Sequence, residues 1–334
     1  MIKAKITVFG AGAFGTAIAN ILAQNDRDVV LWAREPEVVE SIRKKKENQK
    51  FLPGVSLKNI FVASETEYTL EGRNALIFAI PCQYVRDFLV KIQKNVPKDA
   101  ILINLAKGIE VSTLQTTSQI FEDVFGKEIS NRYVTLSGPS FAKEVALGLP
   151  TYAVVASSNE AMAVKAQKIM STKSFRLYSS TDVRGVELGG ALKNIMAIGV
   201  GIAEGLGFGN NTRASLITRY LQEMVRFGEV FGAQKKTFSG LSGIGDLMLT
   251  CYGTLSRNHQ VGLKLGKGEK LSGILKSLPH IAEGVATAKA VYQISQKKNL
   301  DMPNTEFVYR VLYKNVPPKE AFTTLMAREL KSEF

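Results

Sequence analysis

The run KITVFGAGAFG (5–15) constrains the fold more than any other stretch of the 334-residue chain. A short β-branched apolar segment ends in glycines at 10, 12 and 15, and a helical segment rich in Ala, Ile and Leu follows over 16–24. GxGxxG between a strand and a helix is the fingerprint of a dinucleotide site. Gly10 permits the tight turn, Gly12 lets the backbone approach a pyrophosphate, and Gly15 lets helix and strand pack closely. The helix N-terminus adds amide donors and its dipole for the anion. A strand–turn–helix with no ligand would not need all three glycines.

The surrounding pattern extends this unit. Near-continuous apolar runs at 5–10, 28–33, 59–64, 75–81, 100–106 and 133–138, with two more at 152–157 and 175–180, alternate with helical segments. Uninterrupted runs mark strands buried on both faces. The expectation is an α/β fold: a Rossmann-like, doubly wound, mostly parallel sheet over residues 1–182. Beyond about 182 no strand pattern remains. Helical segments at 184–206, 212–232, 242–251, 256–266, 271–277, 283–298, 303–312 and 317–332 define an all-α C-terminal domain, 183–334, with the site in the cleft between the two.

Composition narrows the function classes. A chain of this length accommodates two cores, and 45% hydrophobic with 22% charged residues is ordinary for a globular protein. No stretch approaches the ~18 apolar residues of a membrane span, and MIKAKITVFG passes straight into a strand without room for a secretory signal. Cys82 and Cys251 form no CxxC pair, which fits free thiols in a reducing cytoplasm. Nucleophile motifs, HExxH and metal-ligand clusters are missing, so no metal is expected. The net charge of +13 is scattered, and its one dense run, RKKKENQK (43–50), reads as a solvated face rather than a nucleic-acid footprint. A basic field also suits phosphorylated, anionic ligands.

The residues that carry chemistry stand out by context. In ELGGALKNIMAIGVGIAEG (187–205), Lys193 is the sole charge between Glu187 and Glu204, and shares its helical face with Gly189, Gly190 and Ala197. Something bulky could lie against a lysine so placed. Desolvation would lower its pKa toward neutrality, which suits proton exchange; snorkelling to water would need apolar surface that the glycines do not offer. His259 and His280 read as surface or packing residues. NLAKGIE puts Lys107 past a strand's C-terminal end, where ligands lie in open α/β sheets. SGPSFAKEV puts Gly138, Ser140 and Ala142 after another strand, with Ser140 either at the site or capping the next helix. GIGDLMLTCYGTLSRNHQ holds Asp246, Thr250, Ser256, Arg257 and Asn258; with Ser256 as N-cap, the next two residues make a phosphate cradle. The second strand ends in LWAREPE, with Trp32 and Arg34 at its tip and Glu35 after them. Arg34 would stack on adenine or meet a 2′-phosphate, favouring NADP use or tolerance over strict NAD; a surface pair with Glu35 or Glu37 is the alternative.

Taken together, GAGAFGTA, NQKFLPG, IPCQYVR, LAKGIE, LSGPSFAKEV, ELGGALKN, GIGDLMLTCYGTLSRN and AEGVAT resemble, in order and spacing over nearly the whole chain, the bacterial NAD(P)-dependent sn-glycerol-3-phosphate dehydrogenase family. The resemblance implies reduction of dihydroxyacetone phosphate to sn-glycerol 3-phosphate with NADPH or NADH, by a cytoplasmic homodimer that supplies phospholipid synthesis. It implies Lys193 as proton donor and acceptor, Asp246 as the carboxylate that orients it, and Lys107 as the second lysine at the carbonyl. Gly138, Ser140, Asn194, Thr250, Ser256, Arg257 and Asn258 match substrate positions. Gly10, Gly12, Ala13, Phe14, Gly15, Trp32, Arg34, Lys107, Ala142, Arg257, Ile281 and Glu283 match cofactor positions. Ala13 stands where Ser is common and Phe14 where Trp or Tyr is frequent. Another reading is a related β-hydroxyacid or 6-phosphogluconate-type dehydrogenase, against which GIGDLMLTCYGTLSRN discriminates; a non-catalytic dinucleotide sensor or a nucleic-acid binder would leave Lys193 without a purpose.

Overall fold

The computed structural model describes residues 4–66, 69–277, 282–330 and 332–333. Eight strands, β1 (Lys5–Phe9), β2 (Asp28–Trp32), β3 (Ile60–Ala63), β4 (Ala75–Phe78), β5 (Ile101–Asn104), β6 (Tyr133–Ser137), β7 (Thr151–Ala156) and β8 (Phe175–Ser180), form one sheet in the order β3-β2-β1-β4-β5-β6-β7-β8. Each falls on one of the apolar runs. β1 to β6 pair in parallel, whereas β7 runs antiparallel to β6 and carries β8 parallel to itself. Every residue of β4 and β5 is buried, but β7 and β8 alternate buried with exposed positions. That is the pattern of strands with one face in water.

The chain leaves β1 in opposite directions along the sheet, toward β2 and β3 on one side and β4 to β6 on the other. Beyond the C-terminal ends of β1 and β4 this reversal opens a crevice, and there lies the glycine-rich turn. Gly10 has φ +107°, and a Cβ on it would stand 2.6 Å from the Ala79 carbonyl oxygen. Asn48, fully buried, braces the turn by donating from Nδ2 to the Ala11 carbonyl and to Thr16 Oγ1, both at 2.8 Å.

The second half is built around the helix Val183–Gly205. Residues 185–203 are all buried, so it shows no polar stripe; a helix that is apolar all round belongs in a core. Contrary to the expectation from the sequence, its length and mean hydropathy of 1.4 are those of a membrane span, but the apolar window lies wholly inside the protein. Helices Asn210–Val230, Asp246–Tyr252, Arg257–Gly266, Glu283–Lys297 and Pro303–Tyr313 cover it. Near its start it docks on β6 and on the helix Thr117–Phe125 through Glu187. That carboxylate accepts from Thr117 Oγ1 (2.6 Å), Ser118 N (2.8 Å), Ser118 Oγ (2.7 Å) and Tyr133 OH (2.5 Å). Four donors compensate the burial of one charge.

Along the rest of its length the helix meets Arg257–Gly266 backbone to backbone. Gly201 and Gly205 on one side, and Gly262 and Gly266 on the other, each leave no space for a Cβ against the facing main chain. Small residues at the contact set how near two helices approach.

Two helices differ from the sequence pattern. The segment read as one helix over 242–251 is split: a π turn, Leu241–Gly245, with Gly243 at the non-helical φ −100°, ψ −105°, precedes the helix Asp246–Tyr252. The glycines at 240, 243 and 245 weaken helix propagation, and the Phe238 main chain sits where a Gly243 Cβ would be. The last helix, Pro318–Met326, stops short of 332, because residues 327–330 are exposed and have no apolar face to bury.

The glycine contact gives a contrast testable by calorimetry. Gly262→Val, which drives methyls into the Ile198 carbonyl, is expected to cost about 2–3 kcal/mol. Gly273→Ala on the helix Leu271–Ser277, where a Cβ meets nothing within 4 Å, is expected to gain roughly 0.5–1 kcal/mol.

Candidate active site

The centre of the crevice is a buried carboxylate shared by two lysines. Lys193 Nζ donates to Asp246 Oδ1 and to Thr250 Oγ1, both at 2.7 Å. Lys107 Nζ donates to Asp246 Oδ2 at 2.5 Å and to the Gly138 carbonyl at 3.3 Å. Asp246 is 1% exposed and Lys193 8%. The sheet supplies Lys107, in the loop after β5, and the buried helix supplies Lys193, so the carboxylate joins the two halves of the chain. The short helix that carries Asp246 places Thr250 one turn on, on the same face.

The protonation balance follows from this arrangement. Burial pulls the Lys193 ammonium down to about 8; Asp246 opposes that and the positive charge of Lys107 adds to it. Burial on its own would raise the Asp246 carboxyl, but the charges of Lys107 and Lys193 outweigh it and hold the carboxyl below the usual range. Two cations against one anion leave a positive remainder, suited to an oxygen that gains negative charge.

The bare glycines beside Lys193 make room for protein. A Cβ on Gly189 would meet the Ser242 carbonyl, in the turn that aims Asp246. One on Gly190 would lie 2.6 Å from Ser137 Oγ and 3.3 Å from the methylenes of Lys107. So these glycines let both of the groups that contact or charge Lys193 come close.

Next to this centre lies a group of polar residues at a helix start. Ser256 caps Arg257–Gly266, its Oγ accepting from His259 N at 3.2 Å. Asn258 Nδ2 donates to Asn194 Oδ1 at 2.9 Å, and Asn258 Oδ1 accepts from Gly284 N at 3.0 Å. Asn194 and Asn258 are therefore locked to each other and to the helix Glu283–Lys297. Arg257 stays exposed in the first turn. Ser140 does not cap the following helix, Ala142–Ala146, whose N-cap is Phe141; its Oγ donates to the Gly138 carbonyl at 3.0 Å. Gly138, at φ +144°, packs against Ala153 with no space for a side chain.

At the glycine-rich turn, Gly12 opens the helix Ala13–Gln24 with no side-chain cap and no acidic residue in the first turn. A Cβ there would meet nothing within 4 Å, so its amides face open space. Ala13, Phe14 and Ala142 are half-buried around the turn. Glu283 closes the other end. Its Oε1 accepts from Cys82 N at 3.3 Å, while Oε2 is buried without any partner. Burial pushes its carboxyl up to about 7, against the Cys82 amide and the charge of Arg257. An uncapped helix start and an orphaned buried carboxyl oxygen are the features of a site shaped for a bound dinucleotide. Trp32 lies within the wall: its indole packs on Phe9 and Phe88 and donates to the Ser64 carbonyl at 2.8 Å. Arg34, with 74% of its side chain exposed, pairs with Glu35 at 2.7 Å. Ile281 and His280 lie outside the described residues. Among the described residues no group of His, Cys, Asp or Glu could hold a metal ion.

Sequence reasoning overlooked Asn48, Ser137 (Oγ 3.5 Å from Asp246 Oδ2) and the Cys82 amide. Each lay in a motif stretch, Asn48 opening NQKFLPG, Ser137 opening SGPSFAKEV and Cys82 within IPCQYVR, but nothing along the chain singles out a backbone amide or a strand-end serine inside it.

Comparison with known proteins gives a consistent picture. The family models for the NAD-dependent glycerol-3-phosphate dehydrogenase N-terminus and C-terminus match residues 5–163 and 182–323. A protein of Solidesulfovibrio magneticus named glycerol-3-phosphate dehydrogenase [NAD(P)+] is 48% identical over 98% of this chain and 100% of its own. Its counterpart in Geobacter sulfurreducens is 46% identical over 98% of each. The crystal structure of glycerol-3-phosphate dehydrogenase from Coxiella burnetii superposes with TM-score 0.93 at 32% identity, covering 98% of this chain and 99% of that one. D-mandelate dehydrogenase, at 16% identity and TM-score 0.66 over 97% of this chain and 100% of its own, shares the fold alone.

Glu283 predicts a pH effect on stability. Its carboxyl is raised from 4.5 to about 7, so the folded state holds the proton more tightly than the unfolded chain. Stability from this group is full below about 4.5 and is lost as pH rises toward 7. Glu283→Gln, measured without cofactor, is expected to raise Tm at pH 8 by a few degrees and leave it unchanged at pH 4.5.

Proposed function

The chain belongs to the NAD-dependent glycerol-3-phosphate dehydrogenase family, and from that premise we propose that it reduces dihydroxyacetone phosphate to sn-glycerol 3-phosphate with Lys193 as proton donor. The observation that carries this reading is the single buried carboxylate between Lys193 and Lys107. When bound, NADPH or NADH supplies the hydride. Lys193 Nζ gives its proton to the oxygen that becomes the alcohol, and takes it back in the reverse direction. With a pKa of about 8 it is charged at neutral pH yet gives the proton up readily. Asp246 orients it and maintains its charge, Thr250 fixes the ammonium from a second side, and Lys107 helps neutralise the oxygen.

Arg257, Ser256, Asn258 and the amides of the helix start hold the phosphate, with Asn194, Gly138 and Ser140 lining the same side. Binding at the phosphate then orients the reacting carbon. Gly10, Gly12, Ala13, Phe14 and Gly15 cradle the pyrophosphate, with Ala142, Lys107, Arg257 and Glu283 toward the nicotinamide end. Arg34 is available to a 2′-phosphate, because an exposed ion pair such as that with Glu35 is worth only about 0–1 kcal/mol. We read residues 1–182 and 183–334 as two domains with the site in the cleft between them, in a cytoplasmic homodimer whose product feeds phospholipid synthesis.

Steady-state assays with dihydroxyacetone phosphate and each reduced cofactor test the reaction. Lys193→Met is expected to lower kcat by about 10²–10⁴-fold. In wild type, kcat/KM for the ketone is expected to fall as pH rises through about 8, where Lys193 loses its proton; a flat profile would remove the assignment. Arg257→Ala is expected to act chiefly on KM for the phosphorylated ketone, raising it about tenfold or more.

A further inference from the structure

We propose that Glu204 and His259 are positioning residues that set the axial register of the phosphate-holding turn; this rests on the reading of Ser256–Asn258 as that turn. The smooth glycine contact between Val183–Gly205 and Arg257–Gly266 is where the need arises. Asn258 Nδ2, donating to Asn194 Oδ1 at 2.9 Å, ties the two helices at the site end, but further along the bare main chain at Gly201, Gly205, Gly262 and Gly266 brings them close without a side chain of its own to hold one against the other. Yet Lys193 and Asn194 ride on the first helix, and Arg257 and Asn258 on the second. A sliding error of a fraction of an ångström would misplace the anchored phosphate relative to the reacting carbon.

A second directional bond, on the far side of His259 from the site, sits where it can prevent this. His259 is 6% exposed, and its Nε2 lies 3.2 Å from Glu204 Oε2, next to Gly205. A carboxylate only accepts, so Nε2 carries the hydrogen. The His259 main-chain N–H is the one that Ser256 Oγ caps, so the imidazole is tied directly to the turn. Glu204 Oε2 also accepts from Arg213 Nη2, and the Arg213 guanidinium lies 5.1 Å over the ring of Tyr252, the last residue of the helix that carries Asp246 and Thr250. One carboxylate thereby references the phosphate turn, the proton-donor helix and the Asp246 helix to one another. Glu204 is only partly buried, so its bonds cost little desolvation, and fixing register is the best attested use of a polar contact within an apolar helix packing.

Steady-state kinetics on dihydroxyacetone phosphate and on unphosphorylated dihydroxyacetone distinguish positioning from general stability. His259→Phe keeps the ring and removes the donor. It is expected to lower kcat/KM for the phosphorylated ketone about tenfold, with kcat/KM for dihydroxyacetone unchanged. His259→Gln, which returns an N–H near the place of Nε2, is expected to recover most of that loss. Glu204→Leu, which removes the acceptor, is expected to reproduce the loss confined to the phosphorylated substrate, and serves if the phenylalanine variant does not fold. Equal losses on both ketones, or equal losses in the Phe and Gln variants, would overturn the proposal. A wild-type enzyme that does not prefer the phosphorylated ketone would instead remove the phosphate-turn reading beneath it.

Discussion

Asp246 is an anion taken out of water, and that cost is tolerable only because two ammonium groups reach it. Each arrives from a different part of the chain: Lys107 from the end of β5, Lys193 from the middle of the buried helix. The carboxylate cannot be satisfied unless the sheet and the helical half are seated together. Its requirements therefore reach outward, to the π turn that aims it, to Gly189 and Gly190 that admit its neighbours, and to Glu187, which fixes the helix on the sheet one and a half turns before Lys193. The same burial that makes the trio costly pulls Lys193 to about 8, where a proton can be given and regained.

Polar groups elsewhere in the core follow one rule: each buried charge marks a junction between elements. Glu187 joins the central helix to β6 and the helix Thr117–Phe125. Glu223 accepts from the main chain and side chains of Asn304 and Thr305, anchoring the start of Pro303–Tyr313. Asp182 caps the central helix with one oxygen and holds Gln234 N and Thr237 Oγ1 with the other. Glu283 is the departure, with one oxygen left over. A structural carboxylate is ordinarily fully met, and the leftover oxygen sets Glu283 apart from the other three.

The fold was legible because its signals are local. Eight apolar runs gave eight strands, and GAGAFG gave the crevice at the turn after β1. Lys193 was legible for the same reason, being one charge in an apolar stretch. Its environment was not. That Gly190 accommodates Lys107, or that Gly243 breaks a helix beside Asp246, depends on which segments meet in space, and spacing along the chain does not encode it. Ser140 shows a choice that spacing leaves open: a serine before a helix could be its cap, but the helix begins after Phe141 and the hydroxyl turns back to Gly138. The sequence also concealed that the central helix matches a membrane span in length and hydropathy, because one lysine and several glycines interrupt the apolar residues to the eye.

That helix has a consequence for how the protein is made. The sheet is complete by Ser180, and the next residues to leave the ribosome are Val183–Gly205. The segments that wrap them, among them Arg257–Gly266, Glu283–Lys297 and Pro303–Tyr313, are translated only afterwards. For the seconds this takes at ~5–20 residues per second, the nascent chain displays a sticky rod that a targeting factor for membrane insertion could mistake for its cargo. Lys193 and the glycines that serve the finished site also make that rod a poorer mimic, so one composition answers both demands.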